Sequence, residues 1–548
     1  MSENDFSMRP APTAGVRQEA TRYKQTFTLA ICIIAGALTL WLYFLLSQLG
    51  ERPATNSAPR PVSGKLIELL PMLKSGLAVK NFRQHLLFFF SLIALQFFLL
   101  GVVIWLLLRL HVAEFATDHR FLLTIFIFAV LFRLALLPQT PWLSDDLYRY
   151  LWDGRVLANG LNPFRYPPNA TELAHLRDVE IFPLINHKEV VTVYPPVLQA
   201  IFYLAHQFGG GIIALKGILI FLDVLIVALL FWVLPKFGSP SWWAIFYAWH
   251  PLAVVEIAGS GHIDGAGALF MLAAIVLLAL RQKKVAAMFC FALAFLVKFL
   301  SMLLLPFLLL QKKAQKARLD SRALVLLVFF IAIVFFSYLP FADAGQNLVS
   351  GLTVYAAKWR FNDSIFALFY EPIHALLPNT LVTKLMIPPQ WDITAEVLLT
   401  RRVDLALLST KALMVFFFLS FLLVQWRKYS KEKSAKESFP SFRPLLAWPL
   451  LTLNVLGMFL LLSPTVQPWY LLWILPFLCI IRQPGWMAWS ATIFLAYWIL
   501  DGYARTGTWQ ESNWVKCLEY GLAAIIAAAT RLGNNEKRFK FTNKIHLR

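Results

Sequence analysis

Twelve apolar runs, each close to the length of a membrane span, constrain this chain more than any other feature. They lie at about 27–47, 86–109, 121–138, 212–234, 242–258, 263–280, 322–341, 403–425, 445–462, 468–482, 485–501 and 514–530. A helix needs roughly 20 apolar residues to cross the hydrocarbon core of a bilayer. Apolar residues make up 59% of the 548 and charged residues only 15%, where soluble domains carry about a quarter charged. A chain this apolar is solvated by lipid, which excludes soluble globular, disordered, coiled-coil and disulfide-scaffold folds. The expected fold is all-α: a polytopic transmembrane helical bundle of about 12 spans.

The charge supports a membrane setting. Fifty Lys and Arg against 30 Asp and Glu give +20. The basic residues sit mainly in short loops between apolar runs, so they read as cytoplasmic loops facing anionic lipid rather than as a nucleic-acid surface. Cys32, Cys290, Cys479 and Cys517 lie in or beside apolar runs with no CxxC spacing, and read as small core residues. No cleavable signal peptide is evident. Two apolar stretches are not counted as spans. Residues 194–207, after Tyr194-Pro195-Pro196, are too short. Residues 285–310 have basic flanks on both sides and are interrupted by Lys298 and Pro306. They read as re-entrant half-helices with both ends cytoplasmic.

The resulting layout has a disordered cytoplasmic tail at 1–26, one transmembrane domain at 27–530 and a basic cytoplasmic tail at 531–548. Loops 139–193, 342–402, 463–467 and 502–513 fall outside, and Arg427–Arg443 falls inside. Segment 48–85 must also be outside despite six Lys and Arg. Its Leu66, Leu69, Leu70, Leu73 spacing fits an amphipathic helix on the membrane surface. The chain shows no internal repeat of the kind that marks many transporters.

The first large outer loop holds the densest chemistry. It runs Ser144-Asp145-Asp146-Leu147-Tyr148-Arg149-Tyr150-Leu151-Trp152-Asp153-Gly154-Arg155, then Asn159-Gly160-Leu161-Asn162-Pro163-Phe164-Arg165-Tyr166. The plain reading is Ser144 capping a helix with two acids in its first turn. A helix from 145 to about 158 would also group Asp145, Tyr148, Arg149, Trp152 and Arg155 near one face. Asp146, Tyr150, Asp153 and Leu157 would cluster on another. Aromatic faces cover sugar C–H surfaces, carboxylates accept from hydroxyls, and Arg takes phosphate in bidentate fashion.

This segment, with Tyr194-Pro195-Pro196, Gly261-His262-Ile263-Asp264-Gly265, Trp359-Arg360-Phe361-Asn362-Asp363-Ser364 and Pro468-Trp469-Tyr470-Leu471-Leu472-Trp473, resembles the GT-C type of integral-membrane glycosyltransferases. It is most similar to the polyprenol-phosphate-mannose-dependent mannosyltransferases. The resemblance covers about residues 120–510 and rests on motif order, each motif being weak alone. It implies transfer of a hexose, mannose in the nearest relatives, from a polyprenyl-phosphate carrier to a glycan or lipid acceptor. The transfer would take place with inversion, on the outer face of the cytoplasmic membrane.

On that resemblance Asp145 and Asp146 form the acidic pair of the first outer loop, with Asp145 assigned as base and Asp146 orienting the acceptor. No metal is required; a divalent cation, Mg or Mn, would be held by the same pair if one is used. Cations for the leaving phosphate are Arg149, Arg155, Lys298, Arg360 and Arg505. Tyr148, Trp152, Asp153, Tyr194, His262, Asp264, Asn362, Trp469 and Tyr470 complete the expected substrate-binding set. Gln467 departs from relatives, which often place His before Pro-Trp-Tyr.

Structural readings stand beside these. Gly259-Ser260-Gly261 is turn chemistry, so Asp264 is equally a helix cap and His262 a turn residue. Trp469, Tyr470 and Trp473 fit an interfacial aromatic belt. Asp223, inside a span, reads as a hydrogen bond to a neighbouring helix. Lys298 lies deep in an apolar run, where a charge is functional by default. The competing functions are a transporter or flippase of lipid-linked sugars, and a polymerase or ligase of lipid-linked glycans.

Overall fold

The computed structural model describes residues 14–49, 82–110, 119–309, 311–313, 316–318, 321–434 and 443–545. The fold is an all-α polytopic bundle, and its only strands among the described residues are a three-residue hairpin, Gln311–Lys313 with Lys316–Arg318. Eight helices are individually long and apolar enough to cross a membrane: Tyr23–Ser47, Phe82–Arg109, His119–Leu136, Ile212–Phe237, Asp264–Arg281, Ser321–Ala344, Ala395–Tyr429 and Leu445–Leu462. A ninth is possible if Ile365–Leu376 and Asn379–Met386, bent by 99°, form one broken span.

Among the described residues, eight of the twelve apolar runs are thus single helices of spanning length, and the others differ in where their apolarity is used. Runs 242–258 and 468–482 are apolar because they form the protein interior. Every residue from Trp242 to Ala258 is buried, as is nearly every residue from Pro468 to Ile480. Prolines cut both runs into short pieces. Pro251 starts a new turn and Pro476 starts Leu475–Ile480, since proline lacks the N–H that continues a helix. Run 485–501 is divided among Pro484–Thr492, a 3-10 stretch Ile493–Trp498 and Ile499–Thr506. Run 514–530 lies in the Asn513–Ile545 helix, which carries Lys516 and Glu519 early in its length. By contrast, Ala395–Tyr429 is only 11% buried and Ser321–Ala344 only 17%; their apolar surface is left for lipid.

Other boundaries also move. The first helix starts at Ala14, so residues 14–26, expected to be disordered, are helical; Glu19, Ala20, Arg22 and Lys24 are good helix formers. The segment 342–402, expected to lie outside, is largely helical, through Asn347–Lys358, Ile365–Leu376 and Asn379–Met386. The amphipathic segment around Leu66–Leu73 lies outside the described residues. Residues 285–310 do form two short helical arms, Lys284–Phe295 and Phe299–Leu309, broken at Lys298, whose backbone is extended.

Three buried polar contacts bring the helices into position. Arg133 pairs with Asp223, which also accepts from Tyr247 Oη at 2.6 Å; this is the interhelical role expected of Asp223. Lys216 Nζ donates to the carbonyls of Leu136 and Gln139, both at 2.7 Å. It thereby satisfies the orphan acceptors at the end of the His119–Leu136 helix, immediately before the Asp145–Asp146 segment. The Asp146–Ala158 and Pro196–Gln207 helices cross at Gly154, where an added Cβ would sit 2.4 Å from the Phe202 carbonyl oxygen.

Candidate functional site

The Asp146–Ala158 helix starts with Asp145 at its N-cap position, but neither acid caps the backbone with its side chain. Instead both carboxylates turn to one amide. Asn186 Nδ2 donates to Asp145 Oδ1 at 2.8 Å and to Asp146 Oδ1 at 3.2 Å. Ser144 Oγ accepts the Asp146 backbone N–H at 3.3 Å, as expected of a residue capping this helix, and Asp146 stands in the first turn, so the capping reading and the Asn186 contact hold together. Burial, and then the neighbouring Asp145 charge, push the Asp146 carboxyl up to about 6, while the Asn186 hydrogen bond pulls it down. Lys298 and Asp264 also lie close enough to act on the Asp146 charge.

Asp264 heads the Asp264–Val276 helix and is buried. Its Oδ1 accepts from Lys298 Nζ at 2.8 Å and from Trp473 Nε1 at 2.7 Å. Lys298 is delivered by the break between the two short helices, and its ammonium lies 3.5 Å from the centre of the Tyr470 ring. Tyr470 Oη meets Tyr355 Oη at 2.5 Å. A third group surrounds His262, whose ring stacks on Trp469 at 3.6 Å between centroids. Burial, followed by the Lys298 charge, holds His262 well below its usual range, so the imidazole is neutral at pH 7. Tyr194 packs edge-on against Tyr150 at 4.8 Å and lies within reach of the Asp146 charge.

Asp145, Asp146, Tyr194, His262, Asp264, Lys298, Trp469 and Tyr470 thus belong to one polar, aromatic-walled region. The other expected residues are used elsewhere. Arg149 bonds Asp153 at 2.9 Å and the Val190 carbonyl, and Asp153 also accepts from Thr192 Oγ1 at 2.5 Å. Both are buried struts for the loop, and their ion pair is an i, i+4 contact on one helix. Trp152 is buried against Phe182, and Tyr148 is buried as well. Arg155 pairs with Asp178 at 2.6 Å. Arg360 pairs with Asp363 and Glu371, and Arg505 with Asp501, which Arg83 also holds. Asn362 adopts a positive φ of 48° and donates its backbone N–H to Glu511 and its side-chain amide to Glu519. Arg149, Arg155 and Arg360 each neutralise a carboxylate, and Arg505 shares Asp501 with Arg83.

Asn186, Tyr355, Tyr497 and the acceptor role of Glu256 were not visible in the sequence. Asn186 sits 40 residues after Asp146, in a loop without a motif. Among the described residues, no group of three or more His, Cys, Asp or Glu is arranged to hold a metal ion. The Asp145–Asp146 pair offers two carboxylates, which suits a magnesium-type ion only when substrate phosphate completes its shell.

No curated protein and no solved structure matches the chain. Residues 62–313 match the model of the MptA_B family, described as alpha-(1->6)-mannopyranosyltransferase, N-terminal domain. That stretch contains Asp145, Asp146, Asn186, His262, Asp264 and Lys298, and over it the membrane-spanning chain is similar to a mannosyltransferase family domain.

Proposed function

We propose that the protein transfers mannose from a polyprenyl-phosphate carrier to a glycan or lipid acceptor at the outer face of the cytoplasmic membrane, with inversion at the anomeric carbon. The observation that carries this reading is the convergence of Asp146, Asp264 and Lys298 beside an aromatic wall of His262, Trp469 and Tyr470. Aromatic faces suit sugar C–H surfaces and paired carboxylates suit hydroxyls.

Asp146 acts as the base in this scheme, because it lies near the charges of Lys298 and Asp264 and burial pushes its carboxyl up to about 6. It takes the acceptor hydroxyl proton as the oxygen bonds to the anomeric carbon. The bond from that carbon to the phosphate oxygen breaks, and polyprenyl phosphate leaves with an added negative charge. Lys298, fixed by Asp264 and Tyr470, meets that charge as it grows, and so lowers the barrier. Asp145 shares the Asn186 amide and orients the acceptor. When bound, a divalent cation held by Asp145 and Asp146 would add neutralisation of the phosphate. Membrane lipids solvate the remaining helices.

The experiment is sugar transfer by the purified protein in nanodiscs, with a panel of radiolabelled polyprenyl-phosphate sugars and a membrane extract as acceptor. Transfer by wild type that collapses in Asp146→Asn, with folding retained, supports the reading. Consumption of no donor would favour the transport function, and transfer of a preassembled oligosaccharide would favour the polymerase or ligase function.

A further inference from the structure

His262 carries an unmet requirement. It is 1% exposed, yet neither ring nitrogen has a hydrogen-bond partner among the described residues. A buried polar group without a partner is unfavourable, so its geometry asks for a ligand. Behind it, Glu256 is fully buried. Tyr497 Oη donates to both Glu256 oxygens, at 2.9 and 3.0 Å, and Glu256 Oε2 faces His262 Nε2 at 3.6 Å.

The backbone is shaped to make this meeting. Glu256 sits in a π-helical turn, Val254–Gly259, a widened form frequent at functional sites. The His262 N–H then bonds the Glu256 carbonyl at 2.8 Å. Gly261, at φ +77°, lets the turn lie against the catalytic helix, since a Cβ there would stand 2.3 Å from Leu147.

We propose that Glu256 and Tyr497 are positioning residues that fix the His262 imidazole, so that its Nδ1 accepts a hydrogen bond from a hydroxyl of the bound sugar. Nε2–H closes onto Glu256, Tyr497 holds the carboxylate from the other side, and Trp469 fixes the ring plane. This inference rests on the transferase reading of the same site.

The test is a double-mutant cycle on the full chain in nanodiscs, assayed with radiolabelled polyprenyl-phosphate mannose and membrane-extract acceptor. His262→Ala and Glu256→Ala should each lower kcat about tenfold, the order expected for one hydrogen bond. The double variant should fall no further than His262→Ala, and Tyr497→Phe should lie between wild type and Glu256→Ala. Losses that multiply in the double variant, or single variants that keep wild-type kcat, would overturn the inference. If Glu256→Ala does not fold, Glu256→Gln, which still accepts from Tyr497, replaces it in the cycle with the same criteria. An active wild type with multiplicative losses removes this inference alone. A wild type that transfers from no donor removes the transferase reading and this inference together.

Discussion

Gly154→Ala is the sharpest test of how the Asp146–Ala158 helix is seated. The new Cβ would lie 2.4 Å from the Phe202 carbonyl oxygen and 2.8 Å from its carbon. Ordinary contact begins near 3.4 Å, so the helices must part by about 1 Å, and the obstacle is backbone that cannot rotate away. Two effects oppose each other. Alanine gains about 1 kcal/mol over glycine in a helix interior. Overpacking of a rigid contact costs about 1–3 kcal/mol, so a net loss of order 1 kcal/mol is expected. The catalytic consequence is larger, because a displacement of about 1 Å can cost about 10²-fold in rate. Asp146 begins the same helix eight residues earlier. The assays are thermal unfolding in detergent and mannosyl transfer in nanodiscs. Gly101→Ala and Gly217→Ala are the controls, since nothing lies within 4 Å of either added Cβ; both should keep activity and melting temperature or raise the latter. A Gly154→Ala protein with wild-type melting and wild-type transfer would refute the reasoning.

Other substitutions probe the charges. Lys298→Met leaves buried Asp264 without its cation and should destabilise the protein by about 3 kcal/mol, with transfer abolished; adding Asp264→Asn should recover stability but not transfer, as read by melting and activity together. Gly267→Ala would place a Cβ 2.1 Å from Trp473, expelling the indole that donates to Asp264, and should lower kcat without preventing membrane insertion. With Asp146 pushed up to about 6, kcat/KM should fall as pH drops through that value, and Asn186→Ala should move this acid limb upward because the amide favours the charged form. The stability sign is opposite. The folded state holds the Asp146 proton more tightly than an ordinary carboxylate does, so this group's contribution declines as pH rises from about 4 to about 6. Denaturant titrations of wild type and Asp146→Asn across that window would detect it.

The apolar runs announced a helical membrane protein because lipid leaves few other options for a backbone without water. The residues alone also marked the break at Lys298 and Asp223 as an interhelical partner, while Asp145–Asp146 was singled out with the help of the family resemblance. The number of spans was not legible. An apolar run facing lipid and one buried in protein have the same composition, and the Trp242–Ala258 and Pro468–Ile480 segments are of the second kind. The roles of the arginines were equally hidden. A sequence gives a cation's position in the chain but not the carboxylate that reaches it across the fold, as Asp178 reaches Arg155 and Asp501 reaches Arg83. Asn186, Glu256 and Tyr497 owe their roles to contacts spanning from 40 to 241 residues of chain. The sequence by itself therefore determined the solvent of the fold and the residue types of its chemistry. Which of those residues meet was decided by tertiary packing, because hydrogen bonds and ion pairs act over a few ångströms of space and not along the chain.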